Sequence, residues 1–209
     1  ADYNFQQKGK IMNKLNTEKE KMFAGELYNT RDSELIEMYH RTQRLLASFR
    51  NCQSDDYKKK NDLLKEIFGS VGEGVWVEAP FCCDYGKHIS IGDNSFINFN
   101  CVFLDSNKIT IGNNVLIAPS VQIYTAFHPV KSSERIKSNW DAQKEPIYRT
   151  RALPVKIGDN CWIGGNCVIM PGVTIGENTT IGANSLVTKD IPANVLAFGN
   201  PCKVIKKLE

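Results

Sequence analysis

The sequence predicts a mainly β protein whose core is a parallel β-helix of hexapeptide repeats. Between residues 157 and 190 a β-branched apolar residue recurs at every sixth position, and the residue after it is small in most repeats. Residues six apart lie on opposite sides of an α-helix, so a helix cannot use this period, whereas short strands joined by tight turns can. Three sixes make one triangular coil of about 18 residues, and such coils stack on one another. The residues that set the period are Ile157, Ile163, Ile169, Ile175, Ile181 and Val187.

Two further features of the repeat favour stacked coils over a sandwich of short strands. A small or β-branched residue also recurs at the fifth position of each six, from Cys161 to Ile191, and glycine and asparagine recur between the strands. A sandwich shares the turn residues but does not hold a period of six over six repeats. Each inward side chain contributes about 1.5–3 kcal/mol once it is buried, and only a stack of coils can bury it. We expect corners with unusual dihedral angles at Gly158, Gly164, Gly176, Gly182, Asn160, Asn166, Asn178 and Asn184.

The composition excludes several classes of protein. A net charge of +3 over 209 residues gives no reason to expect a nucleic-acid partner. No apolar run is long enough to cross a membrane, and residues 1–16 lack the apolar segment of a signal peptide. The seven cysteines form no C-x-x-C pair, so we expect reduced core residues in a cytoplasmic protein. The adjacent Cys82 and Cys83 are expected to point in opposite directions.

Residues 17–70 are predicted to form a helical subdomain, after a poorly ordered extension over residues 1–16. A capping box opens the first of three helices, and each helix has apolar residues at helical spacing. The expected helix caps are Thr17 with Glu20, Asp32 or Ser33, and Asp55 or Asp56, and the expected stops are Gly69 and Gly72.

Residues 71–190 are predicted to form the β-helix, interrupted by a projecting arm over residues 126–154. The two repeat blocks give about five coils, or about 24 Å of stack at the usual strand spacing. The arm has prolines and charges but no period of six, and a long loop inside a repeat fold is usually functional. We expect it to need a surface to rest on. Residues 191–209 are expected to leave the coil as a tail that ends in a basic strand. The inward residues before the arm are Val71, Val77, Ile91, Ile97, Phe103, Ile109 and, after a slip of two, Ile111, Ile117 and Ile123.

Several stretches carry motifs that the repeat does not require: residues 21–28 (KMFAGELY), 84–86 (DYG), 96–100 (FINFN), 123–129 (IYTAFHP) and 198–205 (FGNPCKVI). Together they resemble the maltose/galactoside O-acetyltransferases, over about residues 17–206. The repeat alone is shared by many enzymes, so the helical subdomain with Asn-Phe-Asn and His-Pro is the more specific evidence. The resemblance implies a left-handed β-helix, which is an exception to the usual right-handed crossover. It also implies a homotrimer with active sites between subunits, acetyl-CoA as donor and a sugar as acceptor.

His128 is the predicted general base. It begins the arm and precedes a proline, which favours an extended backbone. A protonated hydroxyl is a poor nucleophile, and an imidazole with an ordinary pKa near 6.5 can take its proton at neutral pH. The resemblance places this histidine at the catalytic position and implies direct transfer, because no serine or cysteine matches a family nucleophile. Of the other histidines, His40 is expected to face solvent or pack locally, and His88 to lie at the surface.

The resemblance also implies a set of acceptor-binding residues in the coils. Asn98 would hydrogen-bond the acceptor near the base, the alternative being a corner asparagine of the repeat. Asp84 stands where the galactoside enzymes carry a serine, and it fits the maltose-type pattern. Asp105 lies beside the position of an acceptor-binding acid in the galactoside enzymes. Ser106 occupies that position here, which argues against a preference for galactosides.

Two more acceptor residues are implied in the helical subdomain, and the arm is a departure from the family. Asn29 and Thr30 lie where the subdomain reaches the acceptor, the alternative being a turn that ends the first helix. The arm is longer than in the galactoside enzymes. We expect it to cover a neighbouring subunit's site and to shape the acceptor pocket. Its additional residues near the predicted base are Trp140, Tyr148, Arg149 and Arg151.

The residues implied for coenzyme A lie in the later coils and the tail. A backbone N–H of Gly165 would face the developing oxyanion, and such a donor is typically worth about 10²–10³ in rate. Lysines near the end would pair with phosphates as point charges. Trp162 would pack beside the pantetheine arm, the alternative being a corner aromatic at a subunit contact. Thioester acyl transfer needs no metal, and none is expected. The full set is Gly165, Ala183, Thr188, Lys189, Lys203, Lys206 and Trp162.

Three other functions fit parts of the sequence less well. A γ-type carbonic anhydrase needs three zinc-binding histidines, and only His88 and His128 lie in the coil region. An acyltransferase for an antibiotic or amino sugar would keep the repeat, but the helical subdomain argues for the sugar enzymes. A non-catalytic trimeric binding module would also keep the repeat but would have no need of His128.

Overall fold

The structure, a computed structural model, describes residues 17–209, so the expectation for residues 1–16 lies outside the described residues. It confirms the predicted fold class: a parallel β-helix of hexapeptide repeats that carries an N-terminal helical subdomain. Within the described residues, no helix has the length and apolarity needed to cross a membrane.

The helical subdomain has the three predicted helices and their caps. The side chains of Thr17 and Glu20 each accept the other's backbone N–H at 3.1 and 3.0 Å, which completes the capping box. Asp32 caps the second helix and Asp56 the third. The helices are α1 (Glu18–Ala24), α2 (Ser33–Arg50) and α3 (Tyr57–Ile67).

The chain then winds through three parallel sheets, which form the three faces of a prism. Each coil contributes one short strand to each sheet in turn, and the coils stack in chain order. Sheet 1 contains β1 (Ser70–Val71), β4 (Ile89–Ile91), β7 (Ile109–Ile111), β12 (Val155–Ile157) and β15 (Thr174–Ile175). Sheet 2 contains β2 (Trp76–Val77), β5 (Phe96–Ile97), β8 (Leu116–Ile117), β13 (Trp162–Ile163), β16 (Thr180–Ile181), β18 (Val195–Phe198) and β19 (Lys203–Lys207). Sheet 3 contains β3 (Phe81–Cys83), β6 (Cys101–Leu104), β9 (Gln122–Tyr124), β14 (Val168–Ile169) and β17 (Leu186–Val187).

The predicted inward residues form the core of the prism. Ile91, Ile111, Ile157 and Ile175 are paired successively along sheet 1, and each is at most 3% exposed. The residues at the fifth position of each six are buried as well, Cys161 and Cys167 among them. Cys83 is buried while its neighbour Cys82 is exposed, as the strand alternation requires.

Asparagine and glycine serve the corners for different reasons. The four predicted asparagines adopt a left-handed backbone with φ of 55–59°, as expected. The four glycines do not, and this part of the prediction is wrong. They are required because adjacent coils approach too closely for a side chain: a Cβ on Gly164 would lie 2.5 Å from the backbone nitrogen of Ala183. The asparagines also stack, since Asn114, Asn160 and Asn178 are joined by side-chain hydrogen bonds of 3.0 and 2.9 Å.

The arm begins and ends in a two-stranded antiparallel ladder, and it folds back on its own chain rather than projecting freely. The side chain of Asn29 donates to the carbonyl oxygen of Lys144 at 2.9 Å, and Arg31 donates to the carbonyl oxygens of Ala142 and Glu145. The loop between α1 and α2 is therefore the surface on which the arm rests. The arm contains β10 (Ala126–Phe127), α4 (Ser132–Arg135) and β11 (Arg151–Ala152).

The β-helix extends beyond the expected boundary at residue 190. Ile191 forms a parallel bridge with Ile175, and β18 pairs in parallel with β16, so part of a sixth coil is present. Ala197 is fully buried, which shows that this segment still closes the core. The chain then turns back, and β19 pairs antiparallel with β18 as the expected basic strand.

Candidate active site

The predicted site residues lie at two different edges of the prism. The edge where the chain passes from sheet 3 to sheet 1, here called edge 3/1, follows β3, β6, β9 and β17. The edge where it passes from sheet 2 to sheet 3, here called edge 2/3, follows β5, β13 and β16. Edge 3/1 carries Asp84, Asp105, Ser106, His128, Thr188 and Lys189, and edge 2/3 carries Asn98, Gly165 and Ala183.

His128 is exposed at the base of the arm, and the returning limb of the arm fixes its ring. The carbonyl oxygen of Arg149 lies 2.8 Å from Nδ1, and Thr150 Oγ1 lies 3.3 Å from the same atom. The ring of Tyr148 packs edge-on at a centroid distance of 5.0 Å. A carbonyl oxygen can only accept, so Nδ1 carries the hydrogen and Nε2 of the neutral ring keeps its lone pair. The imidazole is therefore held in the tautomer that a base requires.

Tyr28 connects the predicted base to the first coils. Its backbone N–H donates to the carbonyl oxygen of Thr150, and its hydroxyl is hydrogen-bonded to Ser106. Burial, together with the nearby charge of Asp84, raises the pKa of Tyr28 to about 12. Tyr148 also contributes to the raised pKa of Tyr28. The arm, the helical subdomain and edge 3/1 therefore meet around the side chain of Tyr28.

Asp84 and Asp105 bring two carboxyl groups to the same edge. Asp105 is fully buried, and its Oδ1 accepts the backbone N–H groups of Asp84 and Tyr85 at 3.0 and 2.9 Å. Burial, then the charge of Asp84, raises the pKa of Asp105 to about 7, whereas burial alone raises the pKa of Asp84 to about 6. Asp105 thus fixes the turn that carries Asp84. A direct contact with an acceptor, the role expected for it, is not open to a side chain with no exposed surface.

Of the remaining predicted acceptor residues, two have side chains engaged by other protein groups and one is partly exposed. Ser106 is only 5% exposed, and its hydroxyl is engaged by Tyr28. Asn29 uses its side chain to hold the arm at Lys144 and to accept the N–H of Arg31, whereas the first helix already ends at Ala24. Thr30 follows it and is partly exposed.

At edge 2/3 the predicted residues lie along one edge in the second, fourth and fifth coils. The side chain of Asn98 accepts the N–H of Phe99 at 2.8 Å and remains partly exposed. Gly165 stands where a Cβ would lie 3.2 Å from the carbonyl oxygen of Pro119, and Ala183 lies one coil later at the surface. The edge therefore presents small residues and backbone groups.

Sheet 2 turns an apolar outer face to solvent beside this edge. Trp162 lies on this face with 54% of its surface exposed, between Leu116 and Thr180 on the adjoining strands. It stands on a flat strand, not at a corner. Trp76 and Leu116 are also more than 40% exposed on the same face.

The predicted coenzyme residues of the last coils lie apart from that row. Thr188 and Lys189 line a hollow of about 310 Å³ at edge 3/1, together with Leu153, Pro171 and Gly172. Lys203 and Lys206 are exposed on β19, paired with Phe198 and Leu196 of β18. One chain thus holds the predicted base and the predicted oxyanion donor at different edges.

The sequence interpretation was wrong for one histidine and missed two tyrosines. His88 is 7% exposed, it packs against Phe23 and Tyr85, and its Nδ1 donates to the carbonyl oxygen of Asp105 at 2.6 Å. Burial lowers the pKa of His88 to about 4, so this ring stays neutral. The sequence analysis predicts no role for Tyr28 or Tyr85. Both lie inside the motifs at residues 21–28 and 84–86, and membership of these motifs is the signal that could have found them.

Comparison with known proteins decides the family. Residues 21–72 match the maltose acetyltransferase hexapeptide capping motif, and residues 154–189 match the bacterial transferase hexapeptide of six repeats. The galactoside O-acetyltransferase of Escherichia coli K12 is 42% identical over 90% of this chain and 88% of its own length. The chain belongs to the maltose/galactoside O-acetyltransferase family.

Solved structures of this acetyltransferase family agree in fold over nearly the whole chain. A maltose O-acetyltransferase from Clostridium difficile 630 superposes with a TM-score of 0.84, at 49% identity, over 93% of this chain and 98% of the other. A galactoside acetyltransferase in complex with coenzyme A also gives 0.84, at 40% identity, over 93% and 92%. The chain is an acetyltransferase of this family. In residues 17–209, no three His, Cys, Asp or Glu side chains come together as a metal site would require.

Proposed function

We propose that this acetyltransferase moves the acetyl group of acetyl-CoA directly to a sugar hydroxyl, with His128 as the general base. The observation that carries the proposal is the hydrogen bond between Nδ1 of His128 and the carbonyl oxygen of Arg149. It leaves the lone pair of Nε2 free to receive a proton, and the ring is exposed where an acceptor can reach it.

The reaction then follows from one base and one acceptor. Nε2 of His128 takes the hydroxyl proton as the oxygen forms a bond to the thioester carbon. When the carbon–sulfur bond breaks, the imidazolium returns that proton to the departing sulfur. Its positive charge is supported meanwhile by the Arg149 carbonyl on Nδ1. General-base catalysis of this kind typically contributes about 10²–10⁴-fold.

Acetyl-CoA as donor is supported by the family and by the small residues of edge 2/3. The related galactoside acetyltransferase was solved with coenzyme A. A row of small residues and backbone groups suits the approach of a thin pantetheine chain, and a Gly165 N–H would stabilise negative charge on the thioester oxygen. Lys203 and Lys206 are exposed cations that can pair with phosphates, while Thr188 and Lys189 are assigned to the hollow at edge 3/1.

Assembly as a homotrimer is supported by the separation of the two edges. His128 lies at edge 3/1 and Gly165 at edge 2/3, so a second copy must bring its own edge 2/3 to the first copy's base. The exposed apolar face of sheet 2, including Trp162 and Leu116, suits burial between subunits. A three-fold closed assembly repeats this contact at every site.

The test measures thiol release from acetyl-CoA in the presence of a sugar acceptor. We expect His128→Ala and His128→Asn to lose at least about 100-fold in kcat. The control is His40→Ala, which removes an exposed histidine of α2 and should leave the rate unchanged. Equal rates for wild type and His128→Ala would overturn the assignment of the base.

A further inference from the structure

The side chain of Asp84 is an isolated carboxyl group in a largely buried position. Within residues 17–209, neither a hydrogen-bond donor nor a cation contacts its side chain, although its backbone N–H is bound by Asp105. Burial is the cause of its raised pKa. A buried carboxylate without a partner is costly, and such groups concentrate where a ligand supplies the partner.

The groups around Asp84 add negative charge rather than neutralise it. Asp105 lies behind it, and Oδ2 of Asp105 is buried with no partner among the described residues. Tyr28, Tyr85 and Cys83 are the other neighbours whose pKa its charge raises, and all three are neutral at physiological pH because burial raises the pKa of each. With pKa values of about 6 for Asp84 and about 7 for Asp105, the two carboxyl groups together carry at least one negative charge at neutral pH.

Two arginines of the nearby arm do not pair with the carboxyl group of Asp84. Arg149 directs its guanidinium to the carbonyl oxygens of Glu134 and Ile136, inside the arm. Arg151 donates to the carbonyl oxygen of Gly25, at the end of α1. Neither arginine therefore neutralises the charge of Asp84.

Asp84 is linked to the predicted base through Tyr28 and Thr150. The charge of Asp84 contributes to the raised pKa of Tyr28, the backbone of Tyr28 pairs with that of Thr150, and Thr150 Oγ1 lies 3.3 Å from Nδ1 of His128. One sugar-sized molecule can thus address Asp84 with one substituent and Nε2 of His128 with another.

We propose that Asp84 is an ammonium-binding subsite and that the acceptor is an amino sugar, which this enzyme acetylates on oxygen. The inference rests on the proposed function and specifies its substrate. A protonated amine donates charge-assisted hydrogen bonds to the carboxylate, which a neutral hydroxyl does not match. Held in that state, the amine has no lone pair with which to attack. The hydroxyl at His128 is therefore the nucleophile, and the product is an ester.

The experiment compares two acceptors that differ in one group: methyl 2-amino-2-deoxyglucoside and methyl glucoside. For wild type we expect kcat/KM to favour the amino sugar by about tenfold or more, with an O-acetyl product identified by NMR. Asp84→Asn should bring the ratio of the two kcat/KM values close to one. Glu26→Gln, which removes an exposed carboxylate of the helical subdomain, should keep the wild-type ratio.

The outcomes separate this inference from the proposed function. Acetylation of methyl glucoside at a kcat/KM equal to or above that of the amino sugar in wild type would overturn the ammonium subsite and leave sugar acetylation standing. An unchanged ratio in Asp84→Asn would overturn the role of that residue. An amide product would contradict transfer to oxygen. The wild-type ratio alone decides the central point should the variant fail to fold.

Discussion

Nδ1 of His128 and the carbonyl oxygen of Arg149 are 2.8 Å apart, so a backbone group of the arm sets the tautomer of the proposed base. The residue before Arg149 packs its ring against the same imidazole. The arm thus positions the proposed base, and its contribution can be measured through activity and through proteolysis.

Loss of the ring at position 148 should loosen the imidazole. We expect Tyr148→Ala to lower kcat about tenfold, because a small displacement of a catalytic group is costly. Tyr148→Phe keeps the edge-on contact at 5.0 Å and should retain most of the rate. Steady-state kinetics on one acceptor provide the comparison, and equal losses in the two variants would show that the hydroxyl, not the ring, is important.

The arm should detach when its anchor on the helical subdomain is removed. Arg31→Ala deletes the donors to the carbonyl oxygens of Ala142 and Glu145. We expect faster chymotrypsin cleavage in the arm, where Trp140 and Tyr148 offer sites. Arg44→Ala, an exposed arginine of α2, serves as the control. Identical cleavage rates for the two variants would contradict anchoring by Arg31.

Acceptor use should depend on the ionisation of Asp84. Its pKa is raised by burial to about 6, so the carboxylate form is lost as the pH falls through that value. We therefore expect the ratio of kcat/KM for the amino sugar to kcat/KM for methyl glucoside to fall below pH 6 in wild type, because protonation of His128 affects both acceptors and cancels in this ratio. The facing groups are Asp105, Tyr28, Tyr85 and Cys83, and the phenols and the thiol stay neutral throughout this range. In Asp84→Asn the ratio should no longer change near pH 6, and a persisting change would assign it to another group.

His88 should make the fold sensitive to acid. Its pKa is lowered from 6.5 to about 4 by burial, so below pH 6.5 the unfolded chain binds the proton first. The folded state then loses up to about 3 kcal/mol between pH 6.5 and 4 from this group. The raised pKa of Asp105 acts in the opposite direction, favouring the folded state as the pH falls.

The comparison that isolates this effect is the difference in free energy of unfolding between wild type and His88→Asn. We expect urea titrations to show wild type losing stability relative to the variant as the pH falls from 7.5 to 4. A difference that stays constant over this range would mean that His88 is not buried in its neutral form.

Two neighbouring glycines should differ sharply in their tolerance of alanine. A Cβ on Gly164 would lie 2.5 Å from the nitrogen of Ala183, whereas the nearest atom to a Cβ on Gly165 is 3.2 Å away. We expect Gly164→Ala to cost about 1–3 kcal/mol of unfolding free energy and Gly165→Ala considerably less. Chemical denaturation of both variants gives the comparison. Equal stability would contradict close approach of the coils as the reason for glycine.

The periodic part of the fold could be predicted from the sequence because every side of every coil needs an apolar residue that points inward. Ile157, Ile163 and Ile169 occupy such positions, and all three are fully buried. The purpose of Gly164 could not be read in the same way. A glycine needed for a positive φ and one needed for close packing look alike until the neighbouring coil is in place.

The site was less predictable because it depends on contacts between distant segments. The hydrogen bond from Asn29 to Lys144 joins residues more than a hundred positions apart, and no local pattern indicates it. The burial of His88 likewise depends on Phe23 of α1 packing over it. His128 could be singled out only because a motif surrounds it, and its fixed ring orientation comes from Arg149 across the arm.

The coils on either side of the arm are paired as if it were absent, since Ile111 lies beside Ile157 in the register that every other coil follows. Insertions and deletions between these two isoleucines can therefore accumulate without straining the scaffold. We expect a change in the length of the arm to alter acceptor preference while the stacked coils stay as they are.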